Sequence, residues 1–343
     1  MRKLLNVLYV TTPDSYISKD GENVVIKVNN TEIFRIPVHN LEGIVCFGYI
    51  GASPPMMALC AERNVGLSFL SEYGQFYARV TGKISGNVLL RREQYRRADK
   101  EDDSLRIASN FIIGKITNSR SVLKRAIRDH EDAINSEEVG HAISMLTRKI
   151  ERIGRCNALE ELRGVEGDAA KEYYSVLNEL ILTQKEDFYM NDRSRRPPMD
   201  NLNALLSFLY TLLAHDVQSA LESVGLDPYV GFLHRDRPGR ASLALDLMEE
   251  LRPYLADRIA LTLINRKQIN GKGFIQKESG GIIMDQETKK EVLTIWQKRK
   301  REEITHPFLN EKIEIGLIPY TQSLLLARYL RGDLEQYPPF FWK

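Results

Sequence analysis

A histidine and three acids within one short segment could together bind a divalent cation. His234 stands twelve residues before Asp246, and Glu249 and Glu250 follow at helical spacing. If a helix begins at Ser242, the three carboxylates share one face of it. A neutral imidazole with carboxylates suits a divalent cation that keeps open coordination positions. The alternative is an amphipathic helix whose acids face solvent, with an ordinary loop histidine beside it.

The turn between His234 and the acids adds a second chemical signal. It contains Arg237, Gly239 and Arg240, and arginine binds phosphate through paired N–H donors. Cation ligands beside phosphate-binding arginines indicate metal-assisted chemistry on a phosphodiester. That interpretation requires a third ligand and a surface for nucleic acid elsewhere in the chain.

Glu166 is the candidate for the third ligand. It lies between Gly164 and Gly167, and the pattern predicts that a helix starts here. Glycines permit a close approach of the backbone, and a helix N-terminus favours an ionised carboxylate. The same pattern also fits an ordinary acid at a helix start, with glycines that serve only the turn.

Arginine clusters elsewhere could provide the nucleic-acid surface. Arginines that contact phosphates bind duplex DNA without reading its sequence, although each cluster also fits an ordinary solvated face. The net charge of +2, from 48 basic and 46 acidic residues, gives no global argument for nucleic acid. The candidate DNA-binding residues are Arg91, Arg92, Arg195, Arg196, Arg237, Arg240 and Arg299.

The elements that must position these residues change in type along the chain. A length of 343 residues favours two domains. Short runs rich in β-branched and aromatic residues predict strands first, and apolar residues at three- and four-residue intervals predict helices afterwards. We therefore expect an α+β protein with a β-rich N-terminal domain over 1–85, a linker over 86–98 and an all-helical catalytic domain over 99–343.

The individual elements follow from the same patterns. The predicted strands are 4–10, 24–28, 33–38, 43–47, 65–70 and 75–80, with a turn at Gly74 and a short helix over 56–62. Gly82 and Gly86 mark the change of character. The predicted helices are 105–127, 137–153, 169–182, 202–224, 242–251, 255–264, 288–303 and 319–329. Residues 270–287, with four glycines, predict a loop.

Composition excludes several classes of protein. Cys46, Cys60 and Cys156 are widely spaced, which fits a reducing cytosol and excludes a zinc or iron–sulfur site built from cysteines. The N-terminal apolar run of seven residues is too short for a secretion signal with a cleavage site. No stretch approaches the roughly twenty apolar residues of a membrane span. We expect a cytoplasmic protein that does not bind membranes.

Several stretches of the chain resemble a known family, the CRISPR-associated spacer-acquisition endonuclease/integrase of the adaptation module in antiviral defence. They occur in family order: NVLLRREQY at 87–95, RGVEG at 163–167, RRPPMDNLNALLSF at 195–208, GLDPYVGFLH at 225–234 and SLALDLMEE at 242–250. They span most of the chain, which makes the resemblance specific. The fuller pattern is most similar to the type I-C subgroup.

The resemblance implies a catalytic site of Glu166, His234, Asp246 and Glu249. Mg²⁺ or Mn²⁺ would be bound by Glu166, His234 and one acid of the 246–249 pair. Family members usually carry two acids three residues apart, often both aspartates. Glu249 is our preferred metal ligand and Asp246 its neighbouring carboxylate, but the choice between them stays open.

The resemblance also implies partners and a reaction. Family members are homodimers, here through the N-terminal domain, that bind double-stranded DNA as prespacer fragments and CRISPR repeat. A small ferredoxin-like subunit is the implied protein partner, with an end-processing nuclease as a further one. The 3′-hydroxyl of a fragment would attack a phosphodiester at a repeat boundary and so insert the fragment into the array.

Two alternative functions stay open on the residues alone. A structure-selective nuclease that acts by hydrolysis would use the same ligands, with water in place of the 3′-hydroxyl. A non-catalytic DNA-binding scaffold would need none of these ligands, and its acids would only form a helix face.

Overall fold

The computed structural model describes residues 6–71, 76–80 and 88–342. The chain forms two compact units: Met1–Gly86, Met284–Glu302 and Glu314–Leu317 belong to the first, and Asn87–Ile283, Glu303–Ile313 and Ile318–Lys343 to the second. The first unit therefore includes a segment from the C-terminal third of the chain. The predicted turn at Gly74 and the glycines at 82 and 86 lie outside the described residues.

Two four-stranded sheets form the framework of the first unit. Its strands are β1 (Val7–Val10), β2 (Ser15–Asp20), β3 (Asn23–Val28), β4 (Thr31–Pro37), β5 (Gly43–Phe47), β6 (Gly51–Ala52), β7 (Gly66–Leu70) and β8 (Phe76–Val80). In the order β1-β5-β7-β8 the first three strands are parallel and β8 is antiparallel. In the order β4-β3-β2-β6 only the pair β2–β6 is parallel.

The core of the first unit explains why these runs form strands and one short helix. Branched residues such as Ile17, Ile44 and Leu67 are fully buried in a common hydrophobic cluster. Helix α1 (Pro54–Glu62) begins where the Ser53 hydroxyl accepts a hydrogen bond from the backbone N–H of Met56. Prolines in its first turn cost nothing, because those N–H groups have no partner within the helix.

Helices dominate the second unit. Its α-helices within the described residues are α2 (Val88–Ala98), α3 (Glu101–His130), α4 (Ser136–Ile153), α5 (Leu159–Ser175), α6 (Asn201–Ser223), α7 (Ser242–Met248), α8 (Arg258–Asn265) and α10 (Ile318–Leu330), and a π-helical turn, Pro253–Asp257, precedes α8. Helix α9 (Gln286–Lys300) belongs to the first unit. The predicted fold class, a β-rich domain followed by a helical one, is confirmed. Within the described part of the chain, no helix is both long and apolar enough to cross a membrane.

Short elements appear where the sequence predicted irregular structure. Helix α2 lies within the stretch 86–98 that was assigned to a linker. Two small hairpins pair β9 (Phe274–Gln276) with β10 (Ile282–Met284), and β11 (Glu303–Thr305) with β12 (Lys312–Glu314). The first of them lies within the predicted loop over 270–287. Strands of three residues are too short for an alternation of apolar and polar residues to reveal them in the sequence.

Helix α3 is the central helix of the second unit. It packs against α4, α5 and α7, and its buried stripe includes Ile107, Phe111 and Ile116. Two polar residues, Lys115 and Asn118, lie on the same stripe and are buried as well. Buried polar groups of this kind require partners, and those partners form the site described below.

A buried aspartate in the second unit makes stability depend on pH. Asp257 accepts a 2.6 Å hydrogen bond from Tyr210, and burial raises its pKa from 3.8 to about 6 despite that bond. The unfolded chain therefore releases this proton at lower pH than the folded chain does. Protonated Asp257 therefore adds about 3 kcal/mol to the free energy of unfolding below about pH 4, and this stabilisation is lost as the pH rises to about 6.

We expect urea unfolding at pH 4, 5, 6 and 7 to reveal this loss by comparison with Asp257→Asn. The asparagine still accepts from Tyr210 but does not titrate. The free energy of unfolding of the wild type, minus that of the variant, should therefore fall across this range. If this difference in free energy of unfolding were the same at every pH, Asp257 would titrate alike in the folded and the unfolded chain.

Candidate metal centre

Helix α5 carries Glu166 in its middle, not at its start as the sequence predicted. The helix runs from Leu159 to Ser175 and includes both glycines that flank Glu166. The prediction was wrong because Gly164 and Gly167 suggested a turn. The buried residues Leu162, Val165 and Ala169 lie one turn apart and hold the helix through packing. The carboxylate of Glu166 is therefore supported by a rigid helix, and its side chain is 27% exposed.

The three acids that follow His234 do not face solvent. Asp246 lies in α7 and Glu249 directly follows that helix. Asp246 and Glu250 are 0% exposed and Glu249 is 3% exposed. The alternative of a solvated helix face is thus wrong, because each of these buried carboxylates has its own set of partners.

Asp246 holds the loop that carries His234. Its Oδ2 accepts from the backbone N–H groups of Phe232 at 2.6 Å and Leu233 at 2.9 Å. Its Oδ1 accepts from the backbone N–H of His234 at 3.0 Å and lies 2.5 Å from Nδ1 of the same residue. With four contacts made, Asp246 orients the imidazole by Nδ1, and we infer that Nε2 is the nitrogen available to a ligand.

Gly231 permits this close approach of the loop to α7. A Cβ built at this position would lie 2.8 Å from Asp246 Oδ2 and 2.8 Å from Cβ of Ser242. Neither neighbour can yield without moving the aspartate or the helix. A side chain at 231 would therefore displace the loop that presents His234.

Lys115 lies between the two glutamates. Its ammonium forms an ion pair with Glu166 Oε1 and lies 2.8 Å from Glu249 Oε2. Burial alone would lower the pKa of Lys115, but the charges of Glu249 and Glu166 outweigh it and raise the pKa. The lysine is therefore a permanent cation that joins α3, α5 and the end of α7.

Arg252 provides the second cation for Glu249. Its Nη1 lies 2.8 Å from Glu249 Oε1. Burial alone would raise the pKa of Glu249, but the charges of Arg252 and Lys115 lower it to about 2. Glu249 is therefore an ionised carboxylate between two cations, and His234 contacts Asp246, three residues before it.

One oxygen of Glu249 is engaged by Lys115 alone. Lys115 Nζ lies 2.8 Å from Oε2 of Glu249 as an ion pair, and among the described residues this buried oxygen has no other polar partner. Within the same ranges, no group of three or more His, Cys, Asp or Glu side chains is arranged to hold a metal ion. Glu166 and Glu249, two of the three predicted ligands, thus both contact the ammonium of Lys115.

Arg163 connects the helix of Glu166 to the loop of His234. Its Nε and Nη2 donate to the carbonyl oxygen of Leu233 at 2.9 and 2.6 Å. Because Arg163 lies one turn before Glu166 on α5, this bidentate contact sets the distance between the glutamate and the histidine. Glu160 on the same helix also pairs with Arg235 of the loop.

The C-terminal segment 337–342 holds Glu250 in place. Oε1 of Glu250 accepts from Tyr337 at 2.5 Å and from Gln322 at 3.0 Å, and Oε2 accepts from the backbone N–H of Phe340 at 3.0 Å. Burial raises the pKa of Glu250 to about 7 against these hydrogen bonds. Gly114 permits the contact, since a Cβ there would lie 2.8 Å from Cβ of Glu250.

Four of the predicted DNA-binding residues lie together near this site; we call them the arginine cluster. They are Arg195, Arg196, Arg237 and Arg240. Burial and the charges of the other three lower the pKa of Arg240, while Asp246 opposes this shift. These charge effects indicate that Arg240 lies in the neighbourhood of the other three arginines and of Asp246. Three of the four are exposed.

The other predicted DNA-binding residues lie elsewhere. Arg91 donates to the carbonyl oxygen of Gly225 at 3.3 Å, and its neighbour Arg92 is exposed. Arg299 lies in α9 and pairs with Glu302. Lys115, Arg163 and Arg252 were not predicted as residues of the site. The one signal in the sequence was the position of Lys115 within the apolar stripe of α3.

Comparisons with known proteins match this chain to one family. The model of the family described as "CRISPR associated protein Cas1" matches residues 8–298. The chain is 50% identical over 343 residues, the full length of both chains, to "CRISPR-associated endonuclease Cas1 1" of Chlorobaculum tepidum. The likeness extends over both units.

Two solved structures share the fold. A casposase bound to integration product has a TM-score of 0.85 at 22% identity, with 98% of this chain and 94% of that chain covered. A Cas6-RT-Cas1–Cas2 complex has a TM-score of 0.82 at 23% identity, with 98% of this chain and 36% of that chain covered. At these identities the similarity concerns the fold alone.

Proposed function

The chain belongs to the Cas1 family of CRISPR-associated endonucleases, and from this premise we propose that it is a metal-dependent DNA integrase. The predicted family is thereby confirmed, and the type I-C subgroup stays a prediction. In the proposed reaction, the 3′-hydroxyl oxygen of a short DNA fragment attacks a phosphorus at a repeat boundary. One phosphodiester forms as another breaks, and the proton of the attacking hydroxyl passes to the leaving 3′-oxygen through solvent.

The observation that carries this proposal is the division of roles between the two acids after His234. Asp246 is saturated by the loop and by Nδ1 of His234. Glu249 instead binds a cation at each oxygen, Arg252 at Oε1 and Lys115 at Oε2, both at 2.8 Å. A buried carboxylate that already attracts positive charge, next to an oriented imidazole, suits a divalent cation.

By the chemistry of their donor atoms, one imidazole and two carboxylates, Glu166, His234 and Glu249 would hold Mg²⁺ or Mn²⁺, although within the described residues the three are not yet gathered around one point. When bound, the ion would act as a Lewis acid for the phosphate and stabilise negative charge on its oxygens. The imidazole ligand favours Mn²⁺, since Mg²⁺ prefers sites composed only of oxygen. Asp246 and Arg163 would hold the histidine loop, and Arg252 would hold Glu249.

A joining assay distinguishes the integrase from a hydrolytic nuclease. Purified protein is incubated with Mn²⁺, a plasmid that carries the repeat and labelled DNA fragments. The integrase transfers the label to the plasmid, whereas a nuclease nicks the plasmid without transfer of label. Metal-independent binding with neither product would favour the DNA-binding scaffold and contradict the proposal.

The arginine cluster is proposed to bind the DNA backbone beside the metal. Each arginine that contacts a phosphate releases about one counterion, so the double variant Arg237→Ala/Arg240→Ala should reduce the slope of log K against log salt by about 2. Fluorescence anisotropy with duplexes of two unrelated sequences measures this slope. Equal losses on both duplexes are expected, because phosphate contacts do not read sequence.

A matched control removes two arginines that lie in surface ion pairs. Arg35 pairs with Asp20, and Arg331 pairs with Asp333. The double variant Arg35→Ala/Arg331→Ala should leave the slope unchanged. If it reduced the slope as much as the cluster variant, binding would reflect overall charge and the cluster would have no special role.

The partners of this chain are proposed from its relatives. One solved neighbour is a Cas6-RT-Cas1–Cas2 complex, so we expect a Cas2-type, ferredoxin-like subunit to bind here. A homodimer through the β-rich unit, an end-processing nuclease as a further partner, and action on double-stranded prespacer and repeat DNA in the cytoplasm complete the proposal.

A further inference from the structure

The ammonium of Lys115 occupies the position between two of the three proposed metal ligands. The residue is 8% exposed, and its ammonium forms ion pairs with both Glu166 and Glu249. Two carboxylates this close repel one another unless a cation lies between them. In this protein that cation is Lys115.

A lysine and a divalent cation cannot both bind these oxygens. Oε2 of Glu249 lies 2.8 Å from the Lys115 ammonium, and among the described residues no other polar group binds this oxygen. We propose that Lys115 is a placeholder cation: it holds the Glu166 and Glu249 carboxylates together in the metal-free protein, and metal binding displaces it. This inference rests on the proposed function, because it concerns the same site.

The two cations of Glu249 differ in how easily they can leave. Arg252 binds Oε1 at 2.8 Å and stacks 4.9 Å from the ring centroid of Tyr210, so it keeps Glu249 oriented throughout. Among the described residues no aromatic ring stacks on Lys115, and its flexible four-carbon stem allows the ammonium to swing away. Arg252 is therefore the constant partner and Lys115 the exchangeable one.

The direction of the displacement follows from the space around the lysine. Lys115 lines a cavity of about 10 Å³, together with residues such as Tyr174 and Arg252, and this cavity holds at most one water molecule. The ammonium cannot retreat into it. It must move toward the more exposed side, where Glu166 lies and where a DNA phosphate would arrive. The displaced charge would then attract that phosphate.

The test compares Mn²⁺ affinity and thermal unfolding of wild type and Lys115→Met. Loss of the competing charge should tighten Mn²⁺ binding about tenfold in a titration followed by electron paramagnetic resonance. In EDTA the variant should unfold at lower temperature, because two acids lose their shared cation. Mn²⁺ should raise its Tm by more degrees than that of the wild type, while strand joining becomes slower.

A matched control separates this role from an ordinary buried ion pair. Lys149 pairs with Asp168 of α5 at 2.9 Å, and its side chain is 15% exposed. Lys149→Met should keep the wild-type Mn²⁺ affinity, and any loss of Tm should persist in Mn²⁺. If Lys115→Met behaved like this control, or bound Mn²⁺ more weakly than the wild type, the placeholder proposal would be overturned.

Two further results keep the proposal testable. If Lys115→Met does not fold without metal, Lys115→Gln retains a hydrogen-bond donor and should still bind Mn²⁺ more tightly than the wild type; equal affinity would contradict the proposal. Failure of the proposed function itself has a different signature. In that case the wild type binds no Mn²⁺ at the site, whereas failure of the placeholder alone leaves wild-type binding intact.

Discussion

The His234→Ala variant is expected to lose strand joining by at least about 1,000-fold while it retains its affinity for DNA. A metal ion contributes several kcal/mol of charge stabilisation in the transition state, and each 1.36 kcal/mol changes the rate tenfold. His234 is presented by a loop that Asp246 and Arg163 hold through its backbone. Removal of the imidazole should therefore remove a ligand without collapse of the loop. Transfer of labelled fragments to a repeat plasmid measures the loss.

A second histidine provides the control for this experiment. His141 lies in α4 and is exposed, so His141→Ala should join fragments at the wild-type rate. Glu166→Gln should reproduce the loss seen with His234→Ala, because it removes a charged ligand from the same region. Joining by His234→Ala at near the wild-type rate would show that His234 takes no part in the chemistry.

Asp246→Asn is expected to weaken metal binding 10- to 100-fold, whereas Glu249→Gln should abolish it. Asp246 holds the imidazole through Nδ1, and loss of such a supporting carboxylate typically costs affinity by that factor. In the wild type the carboxylate accepts hydrogen bonds from backbone N–H groups of the loop, whereas the NH₂ group of asparagine cannot accept. A buried N–H left without an acceptor in this way costs about 1–3 kcal/mol of stability. Mn²⁺ titration and urea unfolding of both variants measure the two effects.

The comparison of these two variants decides which acid binds the metal. If Asp246 were the direct ligand, Asp246→Asn would abolish Mn²⁺ binding and Glu249→Gln would retain it. Nitrogen NMR of the histidine rings adds an independent check. Our account requires the wild-type His234 to carry its proton on Nδ1 and to leave Nε2 free. A proton on Nε2 in the metal-free protein would contradict it.

Sequence patterns predicted most of the architecture because they reflect local periodicity. Alternating branched residues identified β3 and β5, and repeats of three and four identified α3 and α6. Helix α5 was misplaced because two glycines at its centre resemble a turn. Its formation depends on packing against α3 and α4, which no local pattern contains.

The site was predictable only in part, for a physical reason. Acids and a histidine at suggestive spacing, together with the family resemblance, identified Glu166, His234 and the 246–249 pair. Which oxygen of each acid is engaged depends on contacts across the fold. Lys115 lies 51 residues before Glu166, and nothing in its own segment indicates that it meets two carboxylates. Buried charge networks form between helices and leave little trace in sequence.

The most direct test of the central claim is the position of Mn²⁺ in a crystal of the wild-type protein, located by its anomalous scattering. Our account predicts a single strong peak in contact with Glu166, with Nε2 of His234 and with the Glu249 oxygen that now faces Lys115. Asp246 should stay bonded to Nδ1 of His234, and the Lys115 ammonium should have left its place between the glutamates. A peak coordinated by Asp246, or Mn²⁺ bound only away from His234, would contradict the account.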